Sequence, residues 1–206
     1  MKLRSLLHLV FSVCMIVLLF VSVAVAGAPS DLVKQTTDKV IDILKNKELK
    51  SPAKIKERRA AIREVISERF DFEEMAKRSL ARYWKQRTQE EHKEFVPLYT
   101  DLLERTYIRK IESYTDEKFV YGEESIDGNF AIVRTKVITI KNVDVPIEYR
   151  MLNEKGVWLV YDVIVEGVSL VNNYRNQFNE IMHSGSYEDL IRKLRNKQKE
   201  GAAGDK

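Results

Sequence analysis

The sequence predicts an α+β domain, a four-stranded antiparallel meander sheet with helices packed over one face and enclosing an apolar cavity. Three observations predict it. From Ser30 to about Tyr114 apolar residues recur at helical spacing, and beyond Thr115 the period switches to two. The strands so marked are joined by connections too short for anything but antiparallel neighbours.

The first segment stands apart from that domain. Lys2 and Arg4 precede the apolar stretch Leu6 to Val25, and Ala24-Val25-Ala26 offers small side chains at the minus-three and minus-one positions. Residues 1–26 are therefore read as a signal peptide cut after Ala26. Cys14, the one cysteine, leaves with it, which removes disulfides, thiol catalysis and thiolate metal sites together. An exported chain without cysteine suits the bacterial periplasm. Losing Lys2 and Arg4 lowers the net charge from +4 to +2, a balance that argues against a nucleic-acid partner. Residues 27–196 are expected to form a single domain, with 197–206 a disordered tail.

A first helix is expected over Asp31 to Leu49, with Leu32, Val33, Val40, Ile41 and Leu44 on its inner stripe. Ser51-Pro52 sets an N-cap and a first-turn proline for a helix running toward Phe70. Asp71 caps a third, which presents Phe72, Met75, Ala76, Leu80 and Tyr83. Thr88 and Glu91 fit a capping box that opens a long fourth helix. On it Phe95, Leu98, Leu102 and Thr106 form one row, and Tyr99, Leu103, Tyr107, Ile111 and Tyr114 the next, an apolar face wider than a surface helix needs. Pro97 lies in its early turns, where it is placed to bend the helix.

Strands follow at Lys118 to Ile126, Phe130 to Ile140, Val143 to Leu152 and Val157 to Glu166. Alternation in the last one sets Trp158, Val160, Asp162, Ile164 and Glu166 on one face and Val157, Leu159, Tyr161, Val163 and Val165 on the other. Gly167 permits a sharp turn, and Ser169 caps a helix carrying Val171, Tyr174, Phe178 and Ile181 back over the sheet. Ser186 to Asp189 opens a last helix with Leu190 and Leu194.

Chemical motifs are few. His92 and His183 fall in separate helices, so no metal site is expected and both are read as solvated. The chain holds no G-x-S-x-G elbow, Walker loop or G-x-G-x-x-G. Glu148, Arg150, Asp162 and Glu166 share a strand face. They read as an ion network in which Arg150 pairs with Asp162 across strands. The alternative makes Asp162 or Glu166 the general base of an isomerase-like enzyme with a cone-shaped pocket. No catalytic residue is assigned. The sheet positions Ala131, Val133, Thr135, Val137 and Val143, Val145, Ile147, Tyr149, Met151 are mostly small or β-branched, whereas the helices carry large aromatics. Such a pairing leaves an apolar hollow.

Two blocks carry a resemblance to a known family. One is F-D-F-E-E-M-A, then Tyr83-Trp84, Phe95 and the helix LYTDLLERTY. The other is Tyr149-Arg150, then WLVYDVIVEGVSLVNNYRNQF from Trp158 to Phe178, with Gly185 and Leu190 beyond. The second block resembles the closing segment of the MlaC, or toluene-tolerance, family of periplasmic phospholipid carriers, in which W-x-V-Y-D-V-x-x-E-G-V-S enters a helix reading Y-R-x-Q-F. Leu98 stands where phenylalanine is expected and Tyr83 where a small residue is usual. The resemblance implies a soluble, non-enzymatic shuttle, expected as a monomer, working between an outer-membrane lipoprotein–porin complex and an inner-membrane ABC transporter complex. Its cargo would be a glycerophospholipid, with no cofactor. The lipid-lining residues are then expected to be Phe95, Leu98, Leu102, Val133, Val137, Val145, Ile147, Tyr149, Val163, Val165, Tyr174 and Phe178, with Arg150 and Arg175 at the cavity mouth. A non-lipid interaction module with a filled core is the remaining alternative.

Overall fold

Capping chemistry starts the helices close to where the sequence places them. In this computed structural model, which describes residues 28–113, 117–140 and 142–204, α1 (Pro29–Lys45) begins on a proline, where a missing N–H leaves no bond unmade. The Ser30 N–H donates to Glu124 Oε2 at 2.6 Å and ties the helix start to the sheet. The helix stops short of the expected Leu49 because Asn46 accepts from the Glu48 N–H and begins a 3-10 turn, Lys47–Leu49. Ser51-Pro52 likewise opens a 3-10 turn, Pro52–Lys54, and α2 follows at Ile55–Ser67. Asp71 accepts from the Glu74 N–H at 2.8 Å and caps α3 (Phe72–Leu80). Both bonds of the Thr88–Glu91 box are formed, at 3.2 and 2.6 Å, at the head of α4 (Gln89–Glu112), which runs on through Pro97. The expected signal peptide and Tyr114 lie outside the described residues.

The meander is β1 (Lys118–Asp127), β2 (Phe130–Ile138), β3 (Asp144–Glu154) and β4 (Val157–Val165), in that spatial order and antiparallel throughout. A two-residue β5 (Val168–Ser169), not foreseen, adds a fifth strand. Glu166 and Gly167 reverse the chain between β4 and β5 with φ of 51° and 81°, the left-handed region that glycine enters without a Cβ clash. Ser169 Oγ accepts from the Asn172 N–H at 2.9 Å and caps α5 (Leu170–Ser184), as expected.

Strict alternation in β4 is not what the structure shows. Arg150 pairs with Asp162 and Met151 with Val160, so Tyr161 is an extra residue. This bulge exchanges the two faces at mid-strand. Trp158 and Val160 consequently share a face with Val163 and Val165 instead of opposing them. β1 carries a similar irregularity between Tyr121 and Glu124.

The helices divide into two groups. α1 lies on β1 and β2 with α2 packed against it, whereas α3 and α5 meet the sheet at β4 and join α4 and α6 in a bundle. Two cores result. One is helical and aromatic; the other unites Val33 of α1 with Ala131, Val133, Met151, Trp158, Val160 and Val163 of the sheet, and Phe70 touches both. The β4 edge is covered. The Asp71 N–H donates to Val160 O at 2.9 Å and the Val160 N–H to Arg69 O at 2.8 Å, with β5 covering the far end. α6 spans Tyr187–Gly204, so the helix continues past residue 196 where a disordered tail was expected. Its continuation packs on α4 so closely that a Cβ at Gly201 would come within 2.5 Å of the Arg105 guanidinium. Among the described residues no helix is long and apolar enough to cross a membrane.

Candidate functional site

Strand register gathers all seven expected sheet residues on one face. Val133 lies across from Tyr149, which lies across from Val163; Ile147 pairs with Val165, and Val137 with Val145. Cover over this face is uneven. At one end Ala131, Val133, Met151 and Val160 are sealed in the core with Val33. Toward the other end Val137, Val145, Ile147, Tyr149 and Val165 keep accessible surface. One end of an apolar face is thus only partly covered by the described residues.

The five helical residues sit in the other core. The Phe95, Tyr99, Tyr174 and Phe178 rings interlock, with centroids 5.7 to 5.9 Å apart at Phe95–Phe178, Tyr99–Tyr174, Tyr99–Phe178 and Phe95–Tyr99. Ser79 Oγ and Tyr99 Oη are 2.8 Å apart, and burial pushes the Tyr99 phenol far above its usual value. Phe95 and Tyr99 are 0 % exposed. A side chain with no accessible surface borders no space, so in this conformation Phe95 braces the bundle, as do the nearly sealed Tyr174 and Phe178. Leu98 and Leu102 are buried in the same core, and Leu102 also reaches a surface cleft between α4 and α6. That cleft, of about 230 Å³, and a neighbouring one of about 530 Å³ are lined largely by charged side chains. Neither is the apolar space the sequence predicts.

A small polar group interrupts the partly covered face. Burial, then the neighbouring Tyr121 phenol, push the Tyr149 phenol up to about 12, against the opposing pull of the Thr37 and Thr135 hydroxyls. Tyr121 faces the same way, in register with Thr135. Burial raises its phenol, and the Thr37 hydroxyl opposes that shift. Sequence reasoning passed over Tyr121 and Thr37. Alternation from the paired Thr135 marks Tyr121, but the β1 irregularity hides it from the strand's own pattern.

The two arginines expected at the mouth are both engaged by the protein itself. Arg150 is on the face opposite Tyr149, between Glu148 at 3.1 Å and Asp162 at 3.9 Å, so its expected cross-strand pairing is present. Arg175 donates from Nε to Arg78 O at 3.0 Å, inside the bundle's surface. Asp162 is only 4 % exposed, and both its oxygens are occupied: Oδ2 accepts from Ser169 Oγ at 2.7 Å and Oδ1 from the Val171 N–H at 3.1 Å. A carboxylate so engaged fixes the start of α5 and is unavailable as a general base. Glu166 is exposed in the turn. His92, expected to be solvated, stacks flat on Trp84 with ring centroids 3.7 Å apart and Nε2 3.0 Å from Trp84 O, while His183 is exposed.

Comparison with known proteins adds three findings. A family model described as MlaC protein matches residues 34–196. The intermembrane phospholipid transport system binding protein MlaC of Haemophilus influenzae is 24% identical over 173 residues, covering 81% of this chain and 80% of that one. The solved structure of a phospholipid-binding protein from Ralstonia solanacearum, in complex with a phospholipid, superposes with a TM-score of 0.75 at 24% identity. It covers 85% of this chain and 99% of that one, and so shares the fold.

Proposed function

We propose a function from one premise: this chain belongs to the MlaC family. It is a periplasmic carrier that shuttles glycerophospholipid between membranes, holding the acyl tails against the partly covered end of the sheet face and making or breaking no bond. Export by the signal peptide places it there. It docks as a monomer to an outer-membrane lipoprotein–porin complex and to an inner-membrane ABC transporter complex, and the transporter supplies the direction.

One observation carries this reading. Val137, Val145, Ile147, Tyr149 and Val165 present branched and aromatic side chains that the described residues bury only in part, beside a bundle whose own core is closed. Such a strip offers acyl chains what water cannot. At about 0.8 kcal/mol per methylene, two chains of about 15 methylenes cost on the order of 20 kcal/mol to expose. The Haemophilus and Ralstonia relatives, one a transport-system binding protein and one solved with phospholipid bound, support the same cargo. Among the expected lining residues Val137, Val145, Ile147, Tyr149 and Val165 make the contact. Phe95, Leu98, Leu102, Tyr174 and Phe178 brace the helices beside it, and Val133 and Val163 form its floor.

Native mass spectrometry of protein purified from cells tests the reading. Phospholipid should co-purify, and an empty protein that takes up none from vesicles ends it. Ile147→Trp locates the site. The larger ring occupies the strip, and the folded variant should load several-fold less lipid; undiminished loading places the tails elsewhere.

A further inference from the structure

Most of the large apolar side chains that stay exposed lie at the two ends of the sheet. Ile126, Phe130 and Val157 gather where β1 turns into β2 and β3 into β4. At the opposite end Ile140 is 69 % exposed, Val143 54 % and Val168 58 %, each above the first group. Ile140 and Val143 lie in the β2–β3 connection; Val168 pairs with Val165, which pairs with Ile147, so this end continues the partly covered strip. Single exposed apolar residues are ordinary. What separates the two ends is charge. The first group is flanked by Glu124, Asp127 and Glu154 against Lys155. The second lies beside a basic turn, because α1 runs along β1. Its Ser30 N–H donates to Glu124, its Lys34 ammonium lies 5.7 Å from the Tyr121 ring, and its Thr37 adjoins Tyr121 and Tyr149. The rest of the helix advances about 12 Å, close to the ~10 Å of strand from Tyr121 to Lys118. Lys45 therefore stands near the level of Lys118 and its pair Ile138, where β2 ends. Residues 45–56 then carry Lys45, Lys47, Lys50, Lys54 and Lys56 against one acid, Glu48. All five lysines are exposed, and Lys54 is paired with Glu57.

We propose that this end of the molecule is a docking surface for an anionic phospholipid bilayer, with the lysine turn meeting the headgroups and Ile140, Val143 and Val168 entering the interfacial layer. Three features select that occupant. Five ammonium groups on a short turn repel one another, and a negatively charged surface relieves the repulsion. The aliphatic side chains stand exposed at two chain reversals, 139–143 and 166–167, a form that enters a fluid layer and offers a peptide no groove. Finally, the register of Ile147, Val165 and Val168 sets them on one face, so a tail leaving the strip passes toward the bilayer along apolar side chains. The surface goes beyond the carrier reading and rests on it only for this last feature.

The test is flotation of the full mature protein with vesicles of phosphatidylglycerol and phosphatidylcholine at low salt, against vesicles of phosphatidylcholine alone. The parent should float with the anionic vesicles only, and should be released as salt rises toward ~0.5 M. Lys47→Gln with Lys50→Gln should weaken the association roughly 25-fold, about five-fold for each lysine. Ile140→Ser with Val168→Ser should weaken it several-fold at unchanged Tm, since both side chains are already exposed. The same exchange at the acidic end, Ile126→Ser with Val157→Ser, should leave flotation as it was. A parent that does not float with anionic vesicles overturns the proposal, as do equal flotation with neutral vesicles and equal losses from the two ends. Cross-linking of Lys47 and Lys50 to an acidic protein, in place of flotation, makes the turn a protein contact and overturns the bilayer assignment. Native mass spectrometry of the same samples keeps the two readings apart. Phospholipid loaded without flotation overturns the docking surface alone, whereas flotation without loading overturns the carrier and leaves the surface.

Discussion

Asp162 shows how one side chain joins strand to helix. It accepts from the Ser169 hydroxyl and the Val171 N–H at the start of α5, while the same Ser169 oxygen accepts from the Asn172 N–H. Three groups at one helix start are thus satisfied through a single carboxylate, with Arg150 at its outer side. Asp162→Asn keeps the shape but replaces one acceptor oxygen by a donor that faces donors. It should cost about 1 to 3 kcal/mol in urea unfolding and leave lipid uptake by the folded fraction unchanged. Loss of a chemical turnover without loss of stability would restore the enzyme alternative. Interactions of this range are legible in sequence. Asp71, Thr88 with Glu91, and Ser169 cap the helices they were expected to cap, because each satisfies a backbone donor three residues away. Tyr121 was not legible, since its place depends on a partner strand and on an irregularity in its own.

Between elements, the seam joining α2 to α4 is built from ion pairs. Arg58 and Arg59 both reach Glu112, at 2.8 and 2.9 Å, and Arg63 reaches Glu104 at 2.6 Å. The two acids are tuned oppositely. Burial alone would raise the Glu112 carboxyl, but Arg59 and Arg58 outweigh it and hold it below the usual carboxylate range. Burial is the largest influence on Glu104 too, and there it prevails over Arg63 and raises the carboxyl. A depressed folded value gives stability that is present above the unfolded value and lost as pH falls through the folded one; a raised value does the reverse. Glu112→Gln should therefore lower Tm by a few degrees at neutral pH, and the gap to the parent should close as pH drops below about 4. Glu104→Gln should not lower Tm at neutral pH. Thermal scans of both variants from neutral to acid pH check the contrast, and a larger loss for Glu104→Gln would reverse the assignment. At this scale the sequence reads well for periods and poorly for exceptions to them. The four long strands follow from alternation, but the Tyr161 bulge is decided by which residues of β3 lie opposite. The end of α6 reads as a tail because its Gly- and Ala-rich composition carries no apolar stripe, whereas its close approach to Arg105 depends on α4.

In the whole molecule the consequence lies in where the helices go. Sequence alone gives helices above a sheet, and from that it is natural to set Phe95 and Phe178 opposite Val133 across a hollow. The chain instead closes two cores, one at the β4 edge and one under α1, and leaves the apolar strip from Tyr149 to Val145 beside them. No local pattern encodes that choice, since Phe95 facing a lipid and Phe95 facing Tyr99 need the same helix face. Hydrogen exchange separates the two arrangements. If the tails lie on the strip, delipidation should speed exchange in residues 144–149 and 163–170, by about the population that lipid had suppressed, while the amides of Phe95 to Leu103 stay as slow as before. The bundle is packed without lipid and has nothing to lose. If instead the α4 amides open on delipidation and the strand amides do not, the tails insert between Phe95 and Phe178, and the bundle seen closed here is the state after release.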